Sequence, residues 1–65
     1  MYSLALRHLE DAVRREPTAR RQFHLGIAYC KAGKQERGRE ILQAVLKTDG
    51  SAPEAAQARD VLQAR

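Results

Sequence analysis

The stretch LGIAYCKAGKQERGREIL, residues 25–42, decides the fold because it carries two apolar helical patterns on either side of a short turn. Gly33 lies in the turn and suits the left-handed backbone position just past a helix end. Two further glycines, Gly26 and Gly38, lie inside the helical patterns, where each costs roughly 1 kcal/mol relative to alanine. The stretch therefore predicts a helical hairpin, and its two interior glycines need a reason in the packing.

Outward from this stretch, proline and glycine separate segments in which apolar residues recur every three or four positions. We predict four helices, over about residues 2–15, 18–32, 35–48 and 53–65. Pro17 ends the first, Thr18 is a suitable N-cap for the second, and Pro53 stands in the first turn of the fourth, where its missing N–H is harmless. The alternation of polar and apolar residues that is typical of strands is absent, so the predicted fold class is all-α.

The second predicted helix carries two apolar stripes rather than one. One stripe consists of Leu25, Ala28, Tyr29 and Ala32, and the other of Phe23, Ile27 and Cys30. A helix with apolar residues on two sides can bury both only by contacting more than one neighbour. We therefore expect this helix to touch at least two others.

The first predicted helix repeats in the third when the sequence is shifted by 33 residues, the separation of Leu9 and Leu42. The shift aligns Ala5 with Gly38, Leu9 with Leu42, Ala12 with Val45, and Val13 with Leu46. A period near 34 residues in an all-helical chain indicates stacked antiparallel helical hairpins. The sequence therefore predicts about four helices arranged as stacked hairpins.

These motifs make the chain similar to the tetratricopeptide repeat (TPR) family, whose hairpin carries Trp-x-x-Leu-Gly-x-x-Tyr, then Ala-x-x-x-Phe, then Pro. Here Leu25-Gly26-x-x-Tyr29 matches the first helix and Gly38-x-x-x-Leu42 stands for the second, while Gly50 occupies the proline position. Gln22 replaces the tryptophan, which departs from the family's pattern. The resemblance implies a single TPR-like domain over residues 1–65, an α-solenoid fragment made of the second helix of a partial repeat (2–16), one full repeat (18–50) and a capping or partial-repeat helix (53–65).

The resemblance also offers a reason for the interior glycines. Without a side chain, Gly26 lets the second helix approach the third closely, and Gly38 would face it across the contact. The residues expected to pack the repeats together are Ala5, Leu9, Ala12, Leu25, Gly26, Tyr29, Gly38, Leu42 and Val45.

The first helix of each hairpin lines the concave surface of a helical-repeat array. On the resemblance, the partner-binding groove would be formed by Arg20, Phe23, His24, Ile27 and Lys31. Phe23 and Ile27 would offer apolar contact between charged ends, which suits a peptide with acidic and apolar groups. The alternative is that Phe23 and Ile27 pack against the first or fourth helix. The helix contains no asparagine, so the lysine and asparagine clamp of chaperone-binding TPR domains is not expected.

No catalytic, cofactor or metal site and no small-molecule substrate is expected. His8 and His24 fall on different helices, and Cys30 is the only cysteine, which provides neither a ligand set nor an internal disulfide. Cys30 is expected to be a small buried apolar residue. No transmembrane segment or signal peptide is visible. The compartment stays open, with the cytoplasm as default and the periplasm if a signal lies upstream.

The sequence favours a non-catalytic protein-interaction scaffold, part of a larger bacterial protein, that binds a protein or peptide. Self-association is a further expectation, because one hairpin alone exposes much of its apolar face. The ending SAPEAAQARDVLQAR, with KAGK and ILQAVL before it, is similar to bacterial TPR proteins linked to exopolysaccharide export and the PEP-CTERM sorting system.

The alternative function is that of a small basic helix-turn-helix-like nucleic-acid-binding protein. The net charge is +4, and phosphate contacts could come from Arg14, Arg15, Arg20 and Arg21. Against this, Glu36 and Glu40 stand among arginines after the Gly33 turn, which makes a mixed face for a recognition helix. Their expected role is to pair with Arg37 and Arg39.

Overall fold

The structure is a computed structural model that describes residues 2–64, and four helices lie in this range. They are α1 (Tyr2–Arg15), α2 (Ala19–Lys31), α3 (Gln35–Thr48) and α4 (Pro53–Gln63). No strand occurs among residues 2–64, so the prediction of an all-α fold of four helices in hairpin arrangement is confirmed. The fourth helix ends at Gln63 with Ala64 as its C-cap, and Arg65 lies outside the described residues.

The helix ends follow the local chemistry of the sequence. Thr18 is the N-cap of α2, where its hydroxyl oxygen accepts a hydrogen bond from the backbone N–H of Arg21 at 3.2 Å. Gly33 follows α2 with a φ of +85°, a conformation that a residue with a Cβ atom rarely adopts. Pro53 stands in the first turn of α4. All three of these predicted end signals are confirmed.

The helix α2 lies at the centre of the domain and contacts α1, α3 and α4. Beyond these contacts, α3 packs on α4, whereas α1 contacts α2 alone among the described helices. The principal extents of 30 × 29 × 14 Å make the domain a slab no more than two helices thick, since packed helix axes lie about 8–10 Å apart. The prediction that α2 touches more than one neighbour is confirmed.

Two apolar clusters hold these contacts together. The first cluster contains the buried residues Ala19, Leu42, Val45, Ala55 and Ala58, with Phe23, Ile27, Cys30, Leu46, Ala52, Val61 and Leu62 packed against it. The second cluster contains Leu6, Leu25, Tyr29 and Ile41, with Leu9, Val13, Ala28 and Ala32 packed against it. Each predicted stripe of α2 enters a different cluster, so the two stripes bury against different neighbours.

Gly26 and Gly38 are both buried at the contact between α2 and α3. A Cβ atom placed on Gly38 would lie 2.8 Å from the carbonyl oxygen of Gly26 and 2.5 Å from Sγ of Cys30. A Cβ atom placed on Gly26 would lie 2.9 Å from Cγ of Leu42. Non-bonded carbon atoms prefer separations of about 3.5–4.0 Å. Side chains at either position would therefore push the two helices apart.

The remaining residues predicted to pack the repeats divide into two groups. Leu25, Tyr29, Leu42 and Val45 are buried, and the last two are completely shielded from solvent. On α1, Leu9 and Ala12 are only half-buried and Ala5 is exposed. Ala5 is exposed because no helix among residues 2–64 covers the side of α1 on which it lies, so its predicted packing role stays a prediction.

Candidate partner-binding face

The neighbours of α2 enclose most of its circumference, and only three of its residues are exposed: Arg20, His24 and Lys31. With 3.6 residues per turn, these three positions fall within about 40° of one another around the helix axis. We call this surface the α2 strip. Because α2 contains no acidic residue, the strip carries positive charge only.

Phe23 and Ile27, the two apolar residues predicted for the groove, are half-buried beside the α2 strip. Both pack against the first cluster, to which α3 and α4 contribute. The ring centroids of Phe23 and His24 lie 6.0 Å apart with the planes tilted by 52°. These apolar side chains thus pack on neighbouring helices and also leave a partly accessible apolar border along the strip.

Several arginines outside the strip are paired with carboxylates. Arg14 and Arg15 both approach Asp11, at 3.9 and 3.1 Å. Arg21 approaches Glu16 at 3.4 Å, and Arg37 approaches Glu40 at 3.2 Å. Within residues 2–64, no carboxylate lies within 4.0 Å of the cationic groups of Arg20 or Lys31. The α2 strip therefore combines positive charge that is not internally neutralised with an apolar border.

Two hydrogen bonds join α1 to residues of α2 that lie outside the α2 strip. The hydroxyl of Tyr29 donates to the carboxylate of Glu10, and Nη1 of Arg21 donates to the carbonyl oxygen of Ala12 at 3.0 Å. The hydrogen bond to Glu10 raises the pKa of Tyr29, and burial and the negative charge of Glu10 act in the same direction. Helical periodicity does not reveal these bonds, because each depends on how α1 lies against α2.

A cavity of about 200 Å³ lies apart from the α2 strip and is lined by Cys30, Gln35, Arg39, Val61 and Ala64. Here Nη2 of Arg39 donates to the carbonyl oxygen of Leu62 at 3.1 Å, so Arg39 joins α3 to α4 instead of pairing with a glutamate of α3. The predicted pairing of Glu40 is made by Arg37. Cys30 is half-buried rather than fully buried. None of the five residues predicted for the groove lines this cavity.

Two further features, a metal-binding cluster and a membrane-spanning helix, are absent from residues 2–64. Among residues 2–64, no group of three or more His, Cys, Asp and Glu side chains is arranged to hold a metal ion. None of the helices in this part of the chain has the length and apolar composition that crossing a membrane requires.

Comparison of the chain with protein-family models, with curated proteins and with solved structures finds no match in any of the three. The fold and the site therefore define the class directly: an all-α domain of helical hairpins whose central helix exposes a basic strip bordered by apolar side chains.

Proposed function

We propose that this chain is a non-catalytic protein-interaction module of the tetratricopeptide type, which binds a peptide or protein segment on the α2 strip and its apolar border. The observation that carries the proposal is that Arg20, His24 and Lys31 are the exposed residues of a helix otherwise enclosed by three others. Packing on three sides holds the strip in one conformation, which lowers the conformational entropy lost on binding.

The spacing of the charges limits the chemistry of the partner. Arg20 and Lys31 are separated by 11 residues, or about 16 Å along the helix axis. Ile27 lies between them on the apolar border. A complementary segment would carry two carboxylates about 16 Å apart with an apolar side chain between them, which an extended peptide spans in about five residues.

Selection of a random peptide display library on the immobilised full-length chain tests this proposal. We expect enrichment of peptides in which acidic residues flank apolar ones. Binding of an enriched peptide should fall at least about tenfold in the double variant Arg20→Glu/Lys31→Glu, because two attractive contacts become repulsive. The matched control is Lys34→Glu/Lys47→Glu, which changes net charge equally at exposed positions outside α2. Equal binding by both variants would rule out the α2 strip as the binding surface.

The nucleic-acid alternative is less well supported by the charge distribution. Three of its four proposed phosphate-binding arginines, Arg14, Arg15 and Arg21, approach carboxylates of the same chain. Binding to phosphate would have to compete with these pairs. Titration of an arbitrary DNA duplex at increasing salt tests this function, because phosphate contacts produce a steep salt dependence.

The narrower resemblance to bacterial proteins of exopolysaccharide export and PEP-CTERM sorting remains a prediction within this proposal. It depends on the strings KAGK, ILQAVL and SAPEAAQARDVLQAR. A gene that lies consistently beside exopolysaccharide export genes would support it, and a gene found only in unrelated neighbourhoods would count against it.

A further inference from the structure

The outward side of α1 is an apolar surface that no helix among residues 2–64 covers. We call it the α1 outer face; it consists of Leu4, Ala5, His8, Leu9 and Ala12. Leu4 is 59% exposed and Ala5 and His8 are exposed, while Leu9 and Ala12 are half-buried. Leu9 also packs against the second cluster, so the face is continuous with the interface between α1 and α2.

The internal repeat indicates which kind of element can pack on the α1 outer face. The 33-residue shift aligns four of the five residues of the α1 outer face with buried residues of α3, pairing Ala5 with Gly38, His8 with Ile41, Leu9 with Leu42, and Ala12 with Val45. The fifth, Leu4, aligns with the exposed Arg37. On α3 these four residues are all buried, and α2 packs over them. The α1 outer face is therefore an uncovered copy of the interface that α2 fills on α3.

The contact of α1 with α2 uses equivalent side chains to the contact of α3 with α4. Leu9 and Val13 of α1 pack against α2 in the second cluster, and their counterparts Leu42 and Leu46 of α3 pack with α4 in the first. Thus α1 uses one side for α2 in the way that α3 uses the equivalent side for α4. The other side of α3 carries α2, and the corresponding side of α1 is bare.

We infer that the α1 outer face binds an amphipathic helix of the α2 kind, contributed by a partner polypeptide. This surface differs from the α2 strip, so the inference does not depend on the proposed function. The occupant would pack its apolar side over Leu4, Leu9 and Ala12 and place a residue with a hydrogen-bonding side chain near His8, where α3 has Ile41.

The repeat also indicates that a second copy of this chain is a poor occupant. Its own α2 is enclosed, which leaves α4 as the equivalent helix. The same shift places Arg59 at the position of Gly26 and Gln63 at the position of Cys30, and both are exposed. Even a single Cβ atom at Gly26 would lie 2.9 Å from Leu42. An arginine at the equivalent position therefore prevents α4 from docking as closely as α2 does.

The distances at the glycine contact specify the occupant further. Ala5 has the Cβ atom that Gly38 lacks, and a Cβ atom on Gly38 would lie 2.5 Å from Sγ of Cys30 and 2.8 Å from the carbonyl oxygen of Gly26. A helix docked on Ala5 must therefore lie slightly farther from α1 than α2 lies from α3, and it must carry a residue smaller than cysteine at the position equivalent to Cys30. It also needs a small residue at the Gly26 position, so the occupant has two small residues four positions apart.

The test uses a fluorescein-labelled peptide of residues 18–33 carrying Cys30→Ala as the probe, with binding to the full-length chain followed by fluorescence anisotropy. We expect saturable binding that falls at least about tenfold when the chain carries Ala5→Arg. The matched control is Ser3→Arg, which adds the same charge at an exposed position on the opposite side of α1 and should leave binding unchanged. The peptide with its native Cys30 should bind more weakly than the Cys30→Ala probe.

Three results would overturn the inference. One is the absence of saturable binding. Another is equal binding by Ala5→Arg and Ser3→Arg, which would mean that the probe replaces the chain's own α2 on α3. The third is dimerisation of the free chain that Ala5→Arg abolishes, because a second copy would then occupy the face. The chain variant Arg20→Glu/Lys31→Glu should bind the probe normally, so failure here and failure of the α2 strip are distinguishable.

Discussion

The carbonyl oxygen of Gly38 faces Gly26 so closely that a methyl group added to Gly26 would lie 3.2 Å from it. Each glycine weakens its own helix by roughly 1 kcal/mol. The close approach in turn buries Leu42 and Val45 completely. Full burial of one such side chain stabilises by about 1.5–3 kcal/mol, so the contact outweighs the helix cost of its two glycines.

Adding a methyl group at this contact should destabilise the protein. Gly38→Ala gains about 1 kcal/mol of helix propensity. The new Cβ atom, however, would lie 2.8 Å from a backbone oxygen that cannot rotate away. We expect a net loss of roughly 1 kcal/mol for Gly38→Ala and about 1–3 kcal/mol for Gly26→Leu. Urea unfolding followed by circular dichroism measures both.

A double variant separates the two sources of crowding at Gly38. In Gly38→Ala/Cys30→Ala the clash with Sγ is gone, and the close contacts with the Gly26 carbonyl oxygen and the Cys30 backbone nitrogen remain. We therefore expect the double variant to lose less stability than the sum of the two single variants. Strict additivity would show that Cys30 does not crowd this position.

Replacing Gln22 with leucine should stabilise the protein. The side-chain oxygen of Gln22 is buried and has no hydrogen-bond partner among the described residues. An unsatisfied buried acceptor costs about 1–3 kcal/mol, and leucine removes the polar atom at similar volume. We expect a higher midpoint of thermal unfolding for Gln22→Leu, while Gln43→Leu, at an exposed position of α3, changes it little. Destabilisation by Gln22→Leu would indicate that this amide is satisfied.

The hydrogen bond between Tyr29 and Glu10 should make stability fall at alkaline pH. Tyr29→Phe is expected to cost about 1 kcal/mol at neutral pH, the usual contribution of one hydrogen bond. The bond raises the pKa of Tyr29 above its ordinary 10.0, so its contribution is fully present below pH 10 and is lost as the pH rises through the raised value. The stability difference between wild type and Tyr29→Phe should therefore shrink above pH 10.

Denaturant unfolding at several pH values measures this difference, and Glu10→Ala, which removes the acceptor oxygens, supplies the partner variant. Removing both groups should cost less than the sum of the single losses, because both variants break the same bond. A difference that stays constant across the alkaline range would contradict the assignment of the pH effect to Tyr29.

Opening the α4 surface should induce self-association. In the variant Arg59→Gly/Gln63→Ala, α4 acquires small residues at the positions where α2 has Gly26 and Cys30. We expect this helix to dock on the α1 outer face of a second copy, seen as concentration-dependent association in sedimentation velocity. Adding Ala5→Arg should restore the wild-type profile. Association that persists with Ala5→Arg would place the new contact elsewhere.

The features that the sequence could predict are those encoded by neighbouring residues. Pro17, Thr18 and Gly33 act on their own backbone or the adjacent turn, so the helix ends follow from local chemistry. The two apolar stripes of α2 likewise predicted that this helix packs against more than one neighbour, and each stripe lies in a different cluster. The sequence could not predict contacts between distant segments, because these contacts depend on how the helices lie against each other. Examples are the hydrogen bonds from Tyr29 to Glu10 and from Arg39 to the carbonyl oxygen of Leu62.

Ala5 illustrates a different dependence on the surrounding structure. Its sequence environment matches that of Gly38, and both residues are predicted to pack the repeats together, yet Ala5 is exposed and Gly38 is buried. Burial also requires a neighbouring helix, and α1 has only one among the described residues. For the candidate site, periodicity placed Phe23 and Ile27 on one side of α2, but the positions of α3 and α4 determined how much of each remained accessible.

Because α1 is attached to the domain through α2 alone, it can detach without disrupting the first cluster, which contains no residue of α1. The backbone amides of α1 should therefore exchange with deuterium through a sub-global opening that costs less free energy than complete unfolding. A helix seated on the outer side of α1 would hold it from both sides. Such a partner would slow exchange throughout Tyr2–Arg15, including amides that it never touches.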